Sequence, residues 1–216
     1  MNIFKVQAIN RHRFSVDGKG ITTLVGLYGC PLQCRYCINQ DVLSSHRYQE
    51  MTPEKLADIL MIDYCYFLST GGGVTFGGGE SLLYAGAIKK MKLLLPPRVC
   101  VNVETSLHVP EENLESVAES IDSLIIDIKT LNSGIYERYT GVPPERAYRN
   151  LEFLCKKGLQ QKCRIRIPMI PDFTSEAEVQ QTREAIEEMG FSDIDVFQYI
   201  RKDSAVGSDC IDCRFL

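Results

Sequence analysis

The 216-residue sequence lacks the features that would assign it to nucleic-acid-binding, membrane or secreted proteins. It has no excess of basic residues, because 24 Lys and Arg against 28 Asp and Glu give a net charge of −4. Nothing in this charge favours nucleic acid as a partner. No stretch approaches the roughly 18 consecutive apolar residues of a membrane helix, and the first residues contain no apolar core of signal-peptide length. We therefore expect a cytoplasmic protein that binds neither nucleic acid nor membrane, and we further expect a monomer.

The sequence also contains no internal repeat and no low-complexity linker that would divide it into independent parts. Its length fits one domain with a sizeable buried core. We therefore predict a single domain over residues 1–216, in which residues 205–216 form a short C-terminal tail of unknown role.

Nine cysteines stand out against this ordinary composition. An odd number leaves at least one thiol without an intramolecular partner, which is a hazard in an oxidising compartment. Reduced thiols, some of them bound to metal, agree better with a cytoplasmic location. Four cysteines lie in apolar helix or strand patterns and are interpreted as small buried hydrophobes, namely Cys65, Cys100, Cys155 and Cys163.

From residue 21 onward, short apolar runs rich in β-branched residues alternate with segments of helical periodicity. The runs predict six strands, at 21–28, 73–76, 99–104, 123–128, 163–170 and 193–200. The segments between them predict helices at 53–68, 82–95, 110–120, 144–157 and 175–189. Continuous apolar strands are typical of parallel sheets that are buried on both faces, which indicates an α/β fold. Periodicity alone does not separate an open doubly wound sheet from a partly closed barrel.

Three further cysteines lie close together after the first predicted strand. The segment Cys30-Pro-Leu-Gln-Cys34-Arg-Tyr-Cys37 places three soft ligands within eight residues, compact enough to hold one metal centre. In a four-iron cluster, three thiolates leave one iron open to an exogenous ligand. A structural zinc site closed by His46 is an alternative, and so is a set of buried thiols that bind nothing.

The pattern Cys-x-x-x-Cys-x-aromatic-Cys, with Tyr36 as the aromatic residue, resembles the signature of the radical S-adenosylmethionine (SAM) superfamily. The resemblance implies a partial (β/α)6 barrel of parallel strands with outer helices. It also implies that Cys30, Cys34 and Cys37 hold a [4Fe-4S] cluster whose open iron binds the amino and carboxylate groups of SAM. In that superfamily an electron then passes to the sulfonium, and the carbon–sulfur bond breaks to give a 5′-deoxyadenosyl radical.

Residues 71–80, GGGVTFGGGE, enclose the second predicted strand in glycines. Taken alone, such a run is commonly a tight strand-to-helix turn in which glycine supplies unusual φ angles. A phosphate-binding loop does not fit, since the run lacks both the lysine of a P-loop and the G-x-G-x-x-G spacing. One strand after the cysteines, the run resembles the superfamily's glycine-glycine-glutamate motif. This resemblance implies that Gly78, Gly79 and Glu80 bind the amino group of SAM.

Over roughly residues 4–200, the chain resembles one branch of that superfamily, the glycyl radical enzyme activating enzymes. The segments that carry this resemblance are 16–21 (VDGKGI), 39–41 (NQD), 71–75, 78–80, 104–105 (ET), 127–129 (DIK), and Arg166 with Pro171. The resemblance implies further contacts with SAM from Tyr36, Ile38, Glu104, Asp127, Lys129 and Arg166.

Each polar position has a chemical reason and a simpler alternative. Asp127 could accept hydrogen bonds from the SAM ammonium, while Lys129 and Arg166 could offset its carboxylate. An ion pair at a strand end would look the same for Asp127 and Lys129, and Arg166 could hold a structural carboxylate. Glu104 and Thr105 could simply cap a turn, and the other interpretation is a monovalent cation bound near them.

The chain departs from the branch near its last predicted strand and in its tail. Residues 198–200, QYI, stand where the branch has Pro-Tyr-His, so the contact of that His with SAM is missing or is rebuilt by Arg201 or Lys202. The role of Cys210 and Cys213 stays open between a zinc clip, a redox pair, a partner contact and undirected thiols.

Two departures lie nearer the predicted cluster. Ser81 stands where many members of the superfamily have Pro. The segment between Cys37 and Thr52 leaves no room for the eight-cysteine, ferredoxin-like insert of longer activating enzymes, so we expect one cluster.

These observations predict an enzyme that cleaves SAM reductively and abstracts a Cα hydrogen from a glycine of a partner glycyl radical enzyme. Such a reaction needs a low-potential electron donor, flavodoxin or ferredoxin by analogy with the branch, and oxygen-free conditions. A barrel left open along one side would let a loop of the partner reach the cofactor. The alternatives are a radical SAM enzyme that acts on a small molecule or another peptide, and a zinc-binding interaction module without catalysis.

Overall fold

The computed structural model describes residues 3–199 of the chain. They form eight β-strands, which are β1 (Phe4–Phe14), β2 (Ile21–Leu27), β3 (Gln49–Met51), β4 (Gly73–Gly78), β5 (Cys100–Thr105), β6 (Ser123–Asp127), β7 (Cys163–Met169) and β8 (Asp193–Gln198). They also form eight α-helices, which are α1 (Gln40–Ser44), α2 (Pro53–Leu60), α3 (Tyr64–Thr70), α4 (Ala85–Leu94), α5 (Glu111–Ala118), α6 (Ser133–Thr140), α7 (Glu145–Lys156) and α8 (Glu176–Glu188). No helix within this region has the length and apolar character that crossing a membrane requires.

The eight strands form one sheet in the order β3-β1-β2-β4-β5-β6-β7-β8. β2 and β4 to β8 pair in parallel with one another, whereas β1 is antiparallel to both β2 and β3. Helices connect the successive parallel strands, as crossover connections require. The predicted α/β fold, a partial barrel of six parallel strands with outer helices, is therefore confirmed. The sheet is not closed, and β3 and β8 form its edges.

Burial of the central parallel strands follows from their apolar sequences. In β4, the first five of six residues are buried. Phe76 of this strand stacks on Phe4 of β1 with 5.2 Å between ring centroids. This contact packs the antiparallel strand β1 against the core of the parallel strands. Helix starts follow the sequence signals, since the Thr52 side chain caps α2, and Ser175 and Glu178 form a capping box at α8.

Several elements differ from the prediction. The periodicity does not predict β1, in which Phe4 and Val6 are buried but the second half is largely polar, so no continuous apolar run marks it. It also misses the short elements β3, α1 and α6. The helix predicted over 53–68 is divided into α2 and α3 by a 3-10 turn at Met61–Asp63.

Some predictions concern residues outside the described region. These are the roles of Arg201 and Lys202, the tail 205–216, and the pair Cys210 and Cys213. The single-domain organisation of residues 1–216 also stays a prediction.

Candidate cluster and cofactor site

The predicted site residues converge at the carboxyl edge of the parallel sheet. The cysteine segment follows β2, while Gly78 ends β4, Thr105 ends β5 and Asp127 ends β6. Neighbouring strands are in register there, because Leu27 pairs with Gly78 and Asp127 pairs with Arg166. The fold therefore brings together groups that are up to 136 residues apart in sequence, from Cys30 to Arg166.

Cys30, Cys34 and Cys37 lie in the loop after β2 as free thiols. Burial raises the pKa of the Cys34 thiol, and the ammonium of Lys129 opposes that shift. A thiol must lose its proton to bind metal. Lys129 therefore favours the form of Cys34 that acts as a ligand.

This loop differs from a closed zinc site. Among residues 3–199, no three or more His, Cys, Asp or Glu side chains are placed to hold one metal ion. His46, the fourth ligand of the zinc alternative, instead contacts the Tyr28 hydroxyl at 2.5 Å. His46 is therefore not placed as the fourth ligand that the zinc alternative requires. The thiolates of a four-iron cluster bind separate irons, so they need not converge on one point as zinc ligands do.

The glycine triplet Gly77–Gly79 supports the start of the cysteine loop. The backbone N–H of Gly79 donates to the Leu27 carbonyl at 2.9 Å, and that of Glu80 donates to the Gly29 carbonyl at 2.8 Å. A Cβ atom at Gly79 would overlap the Gly29 carbonyl oxygen. The glycine is therefore required by the close approach of two backbones, one residue before the first cysteine.

The same triplet also holds the other end of the cysteine loop. The side-chain amide of Asn39, two residues after the last cysteine, donates to the Gly78 carbonyl at 2.9 Å. Gly78 itself has a φ of +93°, which favours glycine. Residues 77–80 therefore form the tight turn that was one interpretation of the glycine run. They also fix both ends of the cysteine loop, which would carry the cluster.

The carboxylate of Glu80 is buried, with 1% of the residue exposed. It accepts hydrogen bonds from Leu82 N (3.1 Å), Thr105 Oγ1 (2.7 Å), and both N (2.9 Å) and Oγ (2.6 Å) of Ser106. Burial raises the pKa of Glu80, although these four donors favour its charged form. Any contact of Glu80 with SAM has to share a carboxylate that already connects β4 to the loop after β5.

Four charged side chains form a network near the carboxyl ends of β5 and β6 and beside the middle of β7. Lys129 Nζ lies 3.2 Å from Asp127 Oδ2, Arg166 Nε lies 3.7 Å from Asp127 Oδ1, and Arg166 Nη1 lies 3.5 Å from Glu104 Oε1. The strand-end ion pair and the structural carboxylate, which were the simpler alternatives, are therefore both present. Asp127 Oδ1 is buried without a hydrogen-bond donor among the described residues. This oxygen is an acceptor with unused capacity inside a charged site.

Glu104 and Thr105 have different partners. Burial, followed by the negative charges of Asp127 and Asp17, raises the pKa of Glu104 to about 7, and Arg166 opposes this shift. The hydroxyl of Thr105 instead donates to Glu80. Their side chains therefore do not join in a common contact, and the cation site near them stays a prediction.

Tyr36 and Ile38 differ in their surroundings. The Tyr36 ring packs edge-on against Tyr139 and Phe173, with ring centroids 6.2 and 5.7 Å away, and its hydroxyl donates to Asp172 at 2.8 Å. Ile38 is 56% exposed beside the last cysteine. Its predicted contact with SAM stays a prediction.

The helix α6 is part of the site, although the periodicity missed it. The N–H of Gln33 donates to the Thr140 carbonyl at 2.8 Å, and that of Arg35 donates to the Tyr139 carbonyl at 3.0 Å. The last turn of α6 thus binds the backbone of the cysteine loop. The available signal is local, since Asn132 caps the helix and its buried residues follow i, i+1, i+4, i+5 spacing.

The donor set fits the two cofactors that the superfamily resemblance implies. Three reduced thiols in one loop suit an iron–sulfur cluster with an open iron. The unsatisfied Asp127 oxygen suits an ammonium group, while Lys129 and Arg166 suit a carboxylate. A ligand carrying both groups would match the charges at this edge.

Comparison with known proteins gives an independent result. Residues 24–186 match the family model described as the Radical SAM superfamily. The pyruvate formate-lyase 1-activating enzyme of Escherichia coli K12 is 27% identical over 166 residues, which cover 75% of this chain and 66% of that enzyme. The isethionate sulfite-lyase activating enzyme of Desulfovibrio desulfuricans is 24% identical over 233 residues, with 79% of this chain and 73% of that enzyme covered.

A solved structure supports the fold. Streptococcus suis SuiB bound to S-adenosylmethionine superposes with a TM-score of 0.66 at 17% identity, covering 81% of this chain and 39% of SuiB. At this identity the likeness concerns the architecture alone.

Proposed function

Since the chain belongs to the radical SAM superfamily, we propose that it is an activating enzyme that abstracts a Cα hydrogen atom from a glycine of a partner glycyl radical enzyme. Its cofactors are those of the superfamily, a [4Fe-4S] cluster and SAM. When bound and reduced, they supply a 5′-deoxyadenosyl radical, methionine being the other product of the cleavage. The radical takes the glycine hydrogen to become 5′-deoxyadenosine and leaves the partner with a backbone radical.

One observation carries the proposal, namely the three-cysteine loop lying beside the Asp127, Lys129 and Arg166 network at a single edge of the sheet. We propose that the Asp127 carboxylate accepts from the SAM ammonium. Lys129 and Arg166 then neutralise the SAM carboxylate in a site that is partly sheltered from water. Gly78, Gly79 and Glu80 hold the loop against this network, so that cluster and SAM meet.

The named relatives support the choice of a glycyl radical enzyme as partner, because both activate lyases. Those lyases act on different substrates, so the names leave the partner of this chain undefined. We propose flavodoxin or ferredoxin as electron donor, and a protein that works without oxygen.

The test begins with the full chain reconstituted with iron and sulfide under anaerobic conditions. It is then reduced and mixed with SAM and, separately, with pyruvate formate-lyase and isethionate sulfite-lyase. We expect 5′-deoxyadenosine and a glycyl doublet in electron paramagnetic resonance (EPR) with at least one partner. Cys34→Ala should abolish both signals, whereas Cys155→Ala, a cysteine outside the loop, should retain them.

The other outcomes separate the alternatives. Formation of 5′-deoxyadenosine without a doublet from any glycyl radical enzyme tested would favour a small molecule or another peptide as substrate. If the chain bound zinc in place of iron and sulfide, the alternative of a zinc-binding interaction module without catalysis would be favoured.

A further inference from the structure

The six parallel strands leave the barrel open, yet a side-chain contact crosses its carboxyl edge. The cysteine loop follows β2, the first of the parallel strands, whereas Tyr199 follows β8, the last of them. The hydroxyl of Tyr199 donates a hydrogen bond to the backbone carbonyl of Tyr36. Within residues 3–199, no strand pairing joins β2 to β8, so this hydrogen bond connects them through the loop that carries the cysteines.

The connection continues into the core through a third tyrosine. The hydroxyl of Tyr139 interacts with that of Tyr199, which in turn donates to the Tyr36 carbonyl. Tyr139 is 1% exposed. Burial raises the pKa of both Tyr139 and Tyr199, so both hydroxyls keep their protons at neutral pH and can donate. We call the three residues Tyr36, Tyr139 and Tyr199 the tyrosine latch.

The acceptor of the tyrosine latch, the Tyr36 backbone carbonyl, lies within the segment that carries the cysteines. The Tyr36 carbonyl lies between Cys34 and Cys37, and the N–H of Cys37 donates to the Cys34 carbonyl at 3.2 Å to close a turn. Fixing the peptide group after Tyr36 fixes the orientation of both flanking cysteines. The latch therefore acts on the relative placement of two thiols.

The donor is equally well positioned. The backbone N–H of Tyr199 donates to the Met169 carbonyl at 3.1 Å, so the register of β7 and β8 sets its location. Its hydroxyl lies close enough to Lys129 for that ammonium to lower the pKa of Tyr199 against the effect of burial. Tyr199 thus contacts the cysteine loop beside the charged network proposed to bind SAM.

We propose that Tyr199 is a positioning residue that holds the cluster loop over the open barrel, with Tyr139 orienting its hydroxyl. The inference rests on the cluster of the proposed function but not on its glycine target. Without the Tyr199 hydroxyl, the loop between Cys34 and Cys37 has more freedom, and a bound cluster is less protected.

The experiment uses the full chain with its cluster reconstituted and the variants Tyr199→Phe, Tyr139→Phe and both together. The rate of iron loss to a chelator and the EPR spectrum of the reduced cluster, with and without SAM, are measured without any partner enzyme. Tyr199→Phe should lose iron roughly five-fold faster, the effect of one lost hydrogen bond. Its spectral response to SAM should also be weaker. Tyr139→Phe should show a smaller change of about two-fold, and the double variant should match Tyr199→Phe because the two hydroxyls act in series.

Tyr148→Phe is the matched control, because its hydroxyl donates to the Thr130 carbonyl at 3.2 Å, outside the cysteine loop. It should leave both readouts unchanged. Equal iron loss and equal spectra in Tyr199→Phe and the parent would overturn the proposal, as would the same acceleration in Tyr148→Phe. Should Tyr199→Phe fail to fold, Tyr139→Phe tests the latch against the same control. Since no glycyl radical is measured, these outcomes are distinct from a failure of the proposed function.

Discussion

Removal of the Glu80 carboxylate should destabilise the chain even before any cofactor binds. The substitution Glu80→Ala takes the acceptor away from two backbone N–H groups, of Leu82 and Ser106, and from two hydroxyls. The hydroxyls of Thr105 and Ser106 can rotate towards other acceptors, but the backbone groups cannot. Glu80→Gln, which keeps one oxygen, should cost less than Glu80→Ala.

The magnitude follows from those two stranded donors. Each buried donor without a partner costs about 1–3 kcal/mol, and loss of the buried charge returns part of that cost, so we expect about 3 kcal/mol in total. For a domain of this size, such a loss lowers Tm by roughly 6–12 °C.

Thermal unfolding of the cofactor-free chain, followed by circular dichroism, is the assay. Glu188→Ala is the control, since Glu188 lies exposed on α8. It should stay within about 0.5 kcal/mol of the parent. If Glu80→Ala unfolds at the same temperature as Glu188→Ala, the carboxylate does not hold the loop after β5 and the reasoning is wrong.

Three further predictions follow. The pKa of Glu104 is raised to about 7, so the folded chain keeps a proton that the unfolded chain loses, and the stability that this proton confers is lost as the pH rises towards and through 7. In urea unfolding, the stability of Glu104→Gln relative to the parent should therefore increase by about 1–3 kcal/mol when the pH is raised from 5 to 8. A stability difference that stays constant over this range would contradict the reasoning. Burial opposes ionisation of Asp63, but hydrogen bonds from Arg11 and Thr23, together with the positive charge of Arg11, outweigh burial and lower its pKa. Asp63→Ala should therefore cost about 2–4 kcal/mol of stability at pH 7. This cost should shrink below pH 4, as urea titrations at the two pH values would reveal. Gly79→Ala should shift the cysteine loop and sharply reduce the iron bound on reconstitution. Gly134→Ala should retain iron, because a Cβ there makes only an ordinary van der Waals contact with Asn132. Equal iron contents in the two variants would show that position 79 does not need glycine.

The sequence predicts the parallel strands well because each contains a short run rich in β-branched and apolar residues, bounded by polar or glycine-rich segments. The cysteines follow one predicted strand and Asp127 lies at the end of another, so the sequence also predicts their position at the carboxyl edge of the sheet. The sequence does not predict β1, because the second half of this antiparallel strand is polar. It does not predict α6, because a helix of two turns shows little periodicity.

Partners within the site are harder to predict, since they depend on three-dimensional placement. Glu80 takes donors from Thr105 and Ser106, about 25 residues away in sequence, only because β4 and β5 are neighbours. Arg166 reaches Glu104 across β6 for the same reason. Tyr199 marks the end of the last strand in the sequence, but its contact with Tyr36 needs the curvature of the whole sheet. The sequence therefore predicts which residues belong to the site, but it does not predict which of their side chains contact one another.

The central claim is hydrogen abstraction from a glycine Cα of a partner protein, and isotope transfer tests it most directly. A partner glycyl radical enzyme is prepared with glycine deuterated at Cα, mixed with the reconstituted chain, reductant and SAM, and the 5′-deoxyadenosine is analysed by mass spectrometry. The account predicts one deuterium in 5′-deoxyadenosine and loss of the Cα-hydrogen splitting from the EPR signal. Unlabelled 5′-deoxyadenosine from a partner that nonetheless forms the radical would contradict it.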